Sequence, residues 1–200
     1  MPAFKLVTMG AWEDDEFIGT VIFGSGACST YGQKYGLKNN EVCELVRVAM
    51  RNHQTPITRI VKIALKMLKK NFPNIRLVIS FADPEHNHLG KIYQAGNWIY
   101  TGTGGTTPYF VANGKIIHTR TITKLFGPKG IRANVASVRK YFNDPTAHTH
   151  TPTAKYRYIM PLDKEIRAQI EPMAKPYPSD LPDVHPFVNT ETILKRGHDV

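Results

Sequence analysis

The sequence predicts a mixed α/β fold, a β-sheet flanked by helices, and three features carry that prediction. Apolar, β-branched runs of strand length lie on both sides of a strongly amphipathic segment at Pro56–Asn71. Between Glu41 and Thr101 the pattern alternates strand, helix, strand, helix, strand, the order of a layered sheet-and-helix architecture. The 200 residues are 42% hydrophobic and 10% aromatic, enough for one domain over residues 1–175 with an irregular, Pro-rich tail over 176–200, and too apolar for wholesale disorder.

Taken in order, Phe4–Met9 and Phe17–Phe23 read as two strands, dense in β-branched residues. Gly24 and Gly26 then open a Gly/Tyr/Lys-rich loop to Asn40. Glu41–Met50 alternates as a strand but breaks step at Leu45-Val46, the mark of an irregularity. After the loop Arg51–Thr55, Pro56 starts a helix whose Ile57, Ile60, Val61, Ala64 and Leu68 form one apolar stripe. Arg59, Lys62, Lys66, Lys69 and Lys70 fill its other side with no acid among them, and Phe72-Pro73-Asn74 ends it. Arg76–Ala82 reads as a buried strand, Lys91–Asn97 as a short helix and Trp98–Thr101 as a further strand. Tyr109–Val111 and Lys115–Thr121 form a hairpin around Asn113-Gly114, the strongest short turn signal in the chain. A short helix at Ala133–Tyr141, a strand at Lys155–Met160 and a helix at Lys164–Ala174 complete the reading.

Several classes are excluded or disfavoured by composition. No apolar run reaches the roughly 18–20 residues of a membrane span, and the first residues lack the apolar core of a signal peptide. Cys28 and Cys43 are too few for a disulfide framework or a four-cysteine zinc site, and suit buried thiols in a reducing cytoplasm. Charge is the louder signal: 26 Lys and Arg against 16 Asp and Glu give a formal +10. The surplus is uneven. From His86 to Leu162 ten bases face Asp144 alone, a formal +9, whereas the first 50 residues are slightly acidic. A one-sided stretch of that length points to phosphate contacts, with Arg120, Lys124, Lys129, Arg132, Arg139 and Lys140 as candidates and nucleic acid, before membrane, as the partner.

Chemistry-bearing residues concentrate where the Arg76–Ala82 strand ends. Asp83, His86, His88, Tyr93 and Gln94 follow it closely, and α/β proteins commonly place sites at strand ends. Two roles stand open for Asp83, a capping residue before Pro84 or a reactive carboxylate. Trp98 is likewise open between core aromatic and stacking face.

The segments SFADPEHNHLGKIYQAGNWIYTG (from Ser80), GLKNNEVCELVRVAM (from Gly36) and YRYIMPLDKEIR (from Tyr156) resemble the Mom family of bacteriophage DNA-modification proteins. That family is similar in turn to the GNAT superfamily of acyltransferases, and the resemblance runs from about Gly19 to Tyr177. It implies a GNAT-like sheet with Glu41–Met50 as the central splayed strand. It also implies an enzyme, with double-stranded DNA as its partner, converting adenine in DNA to N6-carbamoylmethyladenine, which protects phage DNA from host restriction. Tyr93-x-x-x-Asn97-Trp98 takes the place of the usual Tyr-x-x-x-Gly-Phe, which puts Tyr93 in the position of a general acid. Asp83 would then accept a proton or hydrogen bond from adenine N6, with Ser80 and His53 lining the same cleft. Gln94 and Asn97 would read the base edge, and Trp98 or Tyr100 would stack on an extruded adenine.

One departure bears on the cofactor. The phosphate-binding loop of the superfamily is glycine-rich, but Arg51–Arg59 (RNHQTPITR) has no glycine, so backbone N–H groups cannot approach phosphates in the usual way. Arg51 and Arg59 would instead hold an anionic group donor by charge, whether CoA-linked or another anionic metabolite. The resemblance further implies a requirement for iron, for which Asp83, His86 and His88 have the ligand types of a two-His, one-carboxylate site. Two other readings remain: a non-catalytic basic nucleic-acid-binding protein, and an N-acyltransferase acting on a small amine or a protein.

Overall fold

The computed structural model describes residues 5–25, 31–117, 119–127 and 133–180. These residues fall into two compact units, one running to Gly104 and resuming at Lys155, the other spanning Gly105–Ala154.

The first unit is built on a six-stranded mixed sheet. Its strands are β1 (Lys5–Glu13), β2 (Glu16–Gly24), β3 (Val42–Met50), β4 (Leu77–Ala82), β5 (Ile99–Thr103) and β9 (Tyr156–Pro161). They are ordered β1-β2-β3-β4-β9-β5, with β3 and β4 the parallel pair and the other neighbours antiparallel. Helices α1 (Ile57–Asn71) and α2 (Lys91–Ala95) sit on one face and α5 (Lys164–Ile170) on the other. Successive residues of β4 therefore feed opposite cores. Val78 joins Leu45, Leu68, Trp98 and Tyr158, while Leu77 and Ile79 pack with Ile159, Ile166 and Ile170. This two-sided burial is why LVISFA reads as a continuous apolar run rather than an alternating one.

Local rules account for most boundaries. β1 continues past the expected stop at Met9 because Gly10 and Ala11 still pair with Thr20 and Gly19. The acidic pair Asp14-Asp15 makes the two-residue turn, with φ of 47° and 66°, the left-handed geometry that matches strand twist. At Gly19 (φ 153°) a side chain would place Cβ 2.2 Å from the Ala49 carbonyl oxygen, so only glycine lets β3 approach there. On β3, Phe23 pairs with Leu45 and Ile22 with Arg47, leaving Val46 as the extra residue of a bulge where the sequence breaks step. Parallel pairing with β4 covers Val42–Glu44 against Leu77–Ile79. α1 buries Ile60, Val61, Ala64, Leu65 and Leu68 as its periodicity requires. The C-terminal helix stops at Ile170, four residues earlier than expected, and Glu171-Pro172-Met173 forms a 3-10 turn because Pro172 cannot extend an α-helix.

The second unit holds the hairpin of β6 (Tyr109–Ala112) and β7 (Lys115–Ile117), turning at Asn113-Gly114 as expected. β8 (His148–His150) adds to the free side of β6, and Asp144 fastens the turn by accepting from the Asn113 N–H at 2.6 Å. The expected strand over Lys115–Thr121 is corrected. The chain leaves β7 at Ile117 and becomes α3 (Thr119–Phe126), which buries Ile122 against Val138 of α4 (Val135–Phe142). Tertiary burial there overrides the β-propensity of Thr119, Thr121, Ile122 and Thr123.

After the 3-10 turn the described residues 174–180 form no regular element but are tied down, and the rest of the expected tail, 181–200, lies outside the described residues. The Lys175 N–H donates to the Tyr100 carbonyl at 2.8 Å, and the Tyr177 hydroxyl to the Trp98 carbonyl at 2.7 Å. Among the described residues no helix is long and apolar enough to cross a membrane.

Candidate active site

The bulge at Val46 and the short register between β3 and β4 have a shared consequence: a cleft of about 740 Å³ opens beside the ends of the two strands. Val46, Arg47, Val48, Met50, His53 and Ile57 line one side, and Phe81, Asp83 and the run from Asn87 to Tyr93 the other.

Ser80 is buried behind this cleft. Its hydroxyl donates to the Leu45 carbonyl at 2.8 Å, bridging the parting strands, and the Tyr93 hydroxyl lies 2.7 Å from the same oxygen. Because Ser80 spends its one proton on Leu45, Tyr93 is the donor of the second bond. Burial pushes the Tyr93 phenol above its ordinary value, against a smaller opposing effect of Ser80, so it stays protonated at neutral pH. Its ring is fixed by Trp98 and Tyr158, each with its centroid 5.1 Å away. Gly90, at φ 76°, makes this packing possible, since a Cβ there would lie 2.4 Å from the Tyr158 ring.

Of the roles left open by the sequence, Asp83 takes the cap with one oxygen and keeps the other toward the cations beside it. One oxygen accepts from the Glu85 N–H at 3.1 Å and caps the 3-10 turn Pro84–His86. The other meets Lys155 Nζ at 2.7 Å and His86 Nδ1 at 3.5 Å. Burial alone would raise its pKa, but the hydrogen bond and charge of Lys155, with the Glu85 N–H and His86, outweigh that and hold the carboxyl below its ordinary value. Asp83 is thus a stable carboxylate, suited to accepting a hydrogen bond. His53 lines the same cleft, its Nδ1 placed 2.6 Å from the Arg51 carbonyl.

Asp83, Tyr93 and His53 therefore share one cleft with Ser80 behind it, but the other candidates lie elsewhere. Trp98 (1% exposed) and Tyr100 (9%) belong to the core. Gln94 is occupied by backbone and phenol partners, its amide reaching the Leu89 and Pro178 carbonyls and Tyr158. Asn97, at φ 56°, follows α2 and faces the groove along α1. Besides Tyr93, the aromatic ring that lines the cleft is that of Phe81, partly buried and 5.6 Å from the Tyr31 ring. Its place in an apolar strand gave no reason to single it out.

Arg51 and Arg59 do not converge on an anion. The Arg51 guanidinium lies 6.0 Å over the Phe17 ring, and Arg59 points from the outer face of α1. The N–H groups of Gln54 and Thr55 donate to the Glu13 carboxylate at 2.8 and 2.7 Å, and the Thr55 hydroxyl joins them. These bonds, the Thr55 hydroxyl first, lower the Glu13 pKa. The loop before α1 thus already holds a carboxylate, and does not fit a cofactor pyrophosphate there. Arg47 and Lys91 are the cations of the cleft wall instead.

A metal fits no better. Among the described residues no three His, Cys, Asp or Glu side chains are grouped to hold an ion; Asp83 is paired with Lys155, and His86 is 72% exposed. Cys43 is buried with its thiol pushed up to about 12, and Cys28 lies outside the described residues. Of the basic candidates, Arg120 and Lys124 fall on α3 and Arg139 and Lys140 on α4, while Lys129 and Arg132 lie outside the described residues.

The sequence model of the Mom protein family matches residues 1–179. The chain belongs to the Mom protein family. Among Mom relatives is the methylcarbamoylase mom of Escherichia phage Mu, 27% identical over 183 residues, an alignment covering 85% of this chain and 70% of that protein.

Proposed function

We propose that this Mom-family chain is a phage DNA-modification enzyme, a GNAT-like transferase that converts adenine in DNA to N6-carbamoylmethyladenine in the host cytoplasm and so shields the DNA from restriction. The observation that carries the reading is the Tyr93–Ser80 hydroxyl pair beside a cleft that also presents Asp83. The relative's name, methylcarbamoylase, supports it. So does the bulged β3 leaving its parallel neighbour, the arrangement that the superfamily resemblance implies.

Adenine N6 is weakly nucleophilic because its lone pair is delocalised into the ring, so the site must assist both sides of the exchange. The N6–C bond forms as the bond from that carbon to the donor's leaving group breaks with its electron pair. Asp83, ionised and braced by Lys155, accepts the N6 proton, and the Tyr93 O–H turns from Ser80 to give its proton to the leaving group. Phe81 offers a face to the extruded base. The donor is an anionic small molecule, its charge met by Arg47 and Lys91. The α3 and α4 cations contact the DNA backbone in this reading.

Total nucleoside mass analysis of DNA from cells expressing the wild type and Asp83→Asn tests it. A new deoxyadenosine species in the wild type, much reduced in the variant, is expected. No modified deoxyadenosine in the wild type rejects the reading in favour of a binding protein or an acyltransferase on small amines.

A further inference from the structure

The first unit has a second cationic feature that the catalytic reading leaves unused. Along α1, Arg59, Lys62, Lys66 and Lys69 recur at intervals of three and four residues, which aligns them on one flank of the helix. They line a groove of about 780 Å³ between α1, α2 and the end of β9, and Arg167 of α5 completes it. No Asp or Glu lines this groove, and none of the five forms an ion pair among the described residues. Lys69 is held by the Pro73 and Ile75 carbonyls at 2.9 and 3.0 Å, while Lys62 and Lys66 are exposed. Lys69 also feels the Asp163 carboxylate, but the rest of the row lacks an acidic partner among the described residues and repels itself, and a bound polyanion relieves that repulsion.

We infer that this α1 groove is a docking surface for the sugar-phosphate backbone of nucleic acid, an assignment that rests on the DNA reading above. The cations are arrayed in a line rather than around a point, which suits a polymer over a free phosphate. From Arg59 to Lys69 the helix advances about 15 Å, the axial length of roughly four phosphates on one strand. The concave shape and the position of the apolar residues set an anionic membrane aside. Ile63 and Met67, the exposed large apolar residues of α1, line the neighbouring groove toward β1, which shares Arg59 with the basic one. Ile92, Met160 and Leu162 of the basic groove are partly buried, so the basic flank presents no exposed large apolar side chain to insert between lipids.

Fluorescence anisotropy with a mixed-sequence 20-base-pair duplex tests the inference on the full chain, comparing wild type with Lys62→Ala/Lys66→Ala. Both positions are exposed on a helix, and alanine favours the helix, so the fold is retained; thermal unfolding checks this. Each lost contact lowers the salt slope by about 0.9, so the double variant binds roughly 30-fold more weakly at 0.15 M salt and its slope falls by about 2. A Lys34→Ala/Lys164→Ala control, equal in charge change and on other elements, keeps wild-type binding. An α1 variant with wild-type affinity and slope overturns the groove assignment while leaving the DNA reading intact. A wild type that binds no duplex at any salt overturns both. Loss of binding only to phosphatidylserine vesicles overturns the inference in favour of a membrane.

Discussion

Replacing Tyr93 by Phe deletes one oxygen from the floor of the cleft and little else. The ring keeps its contacts with Trp98 and Tyr158, both at 5.1 Å, and Ser80 keeps its bond to the Leu45 carbonyl. What disappears is the 2.7 Å bond to Ser80 and, with it, the one phenol proton, which rests on Ser80 and must turn from it to reach a leaving group in the cleft. The stability cost is that of one partly buried hydrogen bond between neutral groups, about 1 kcal/mol, because no ion is left unpaired. The catalytic cost is larger, about 10²–10⁴-fold for a general acid. The two readouts therefore separate. Thermal unfolding of Tyr93→Phe should show a small loss, and nucleoside mass analysis of DNA from expressing cells should show the modified deoxyadenosine reduced at least a hundredfold, on the order expected for an acid catalyst. A variant that modifies DNA like the wild type refutes the role of Tyr93 as acid.

Further expectations concern charge and packing. Lys155→Met removes the cation that outweighs burial at Asp83, so the Asp83 pKa rises; the acid limb of the pH–activity profile, measured by single-turnover modification, should move to higher pH. The sign for stability follows: the depressed Asp83 pKa stabilises the fold above the unfolded carboxylate value, and that contribution is lost as pH falls through the folded value, so Lys155→Met should flatten the acid end of a stability–pH curve. Leu68→Ala empties a fully buried position between α1 and the sheet and should cost about 2–5 kcal/mol by urea unfolding. Gly90→Ala forces a Cβ against the Tyr158 ring in a left-handed backbone and should lower the melting temperature and, by displacing the support of Tyr93, the modification rate.

Much of the fold was legible because local and tertiary demands agree. The stripe of α1, the hairpin at Asn113-Gly114 and the break of alternation at Leu45-Val46 each encode their element in a short window. α3 and β8 were hidden for opposite reasons. Thr119–Phe126 has β-branched composition and becomes helical only by burying Ile122 against Val138, and the polar His148–His150 becomes a strand only because β6 has a free side. The site divided along the same line. Asp83 and Tyr93 flank one turn and stay close in space, whereas the placement of Arg47, Phe81 and Lys91 depends on how far β3 departs from β4, which no local pattern states. Arg51 and Arg59 have the charge to hold an anion, but the backbone they flank already has one, Glu13, which nothing local in the sequence states.

That carboxylate does more than exclude a phosphate. Glu13 ends the first strand, and Gln54 and Thr55 belong to the loop that carries His53 into the cleft, so two segments some forty residues apart in sequence are latched together. Protection of the Gln54 and Thr55 amides against deuterium exchange, taken relative to the intrinsic rate at each pH, should therefore be high near neutrality and fall as Glu13 takes up a proton in acid. The N-terminal hairpin thereby becomes a strut for the His53 wall, and shortening it would loosen the cleft from a distance without touching any residue inside it.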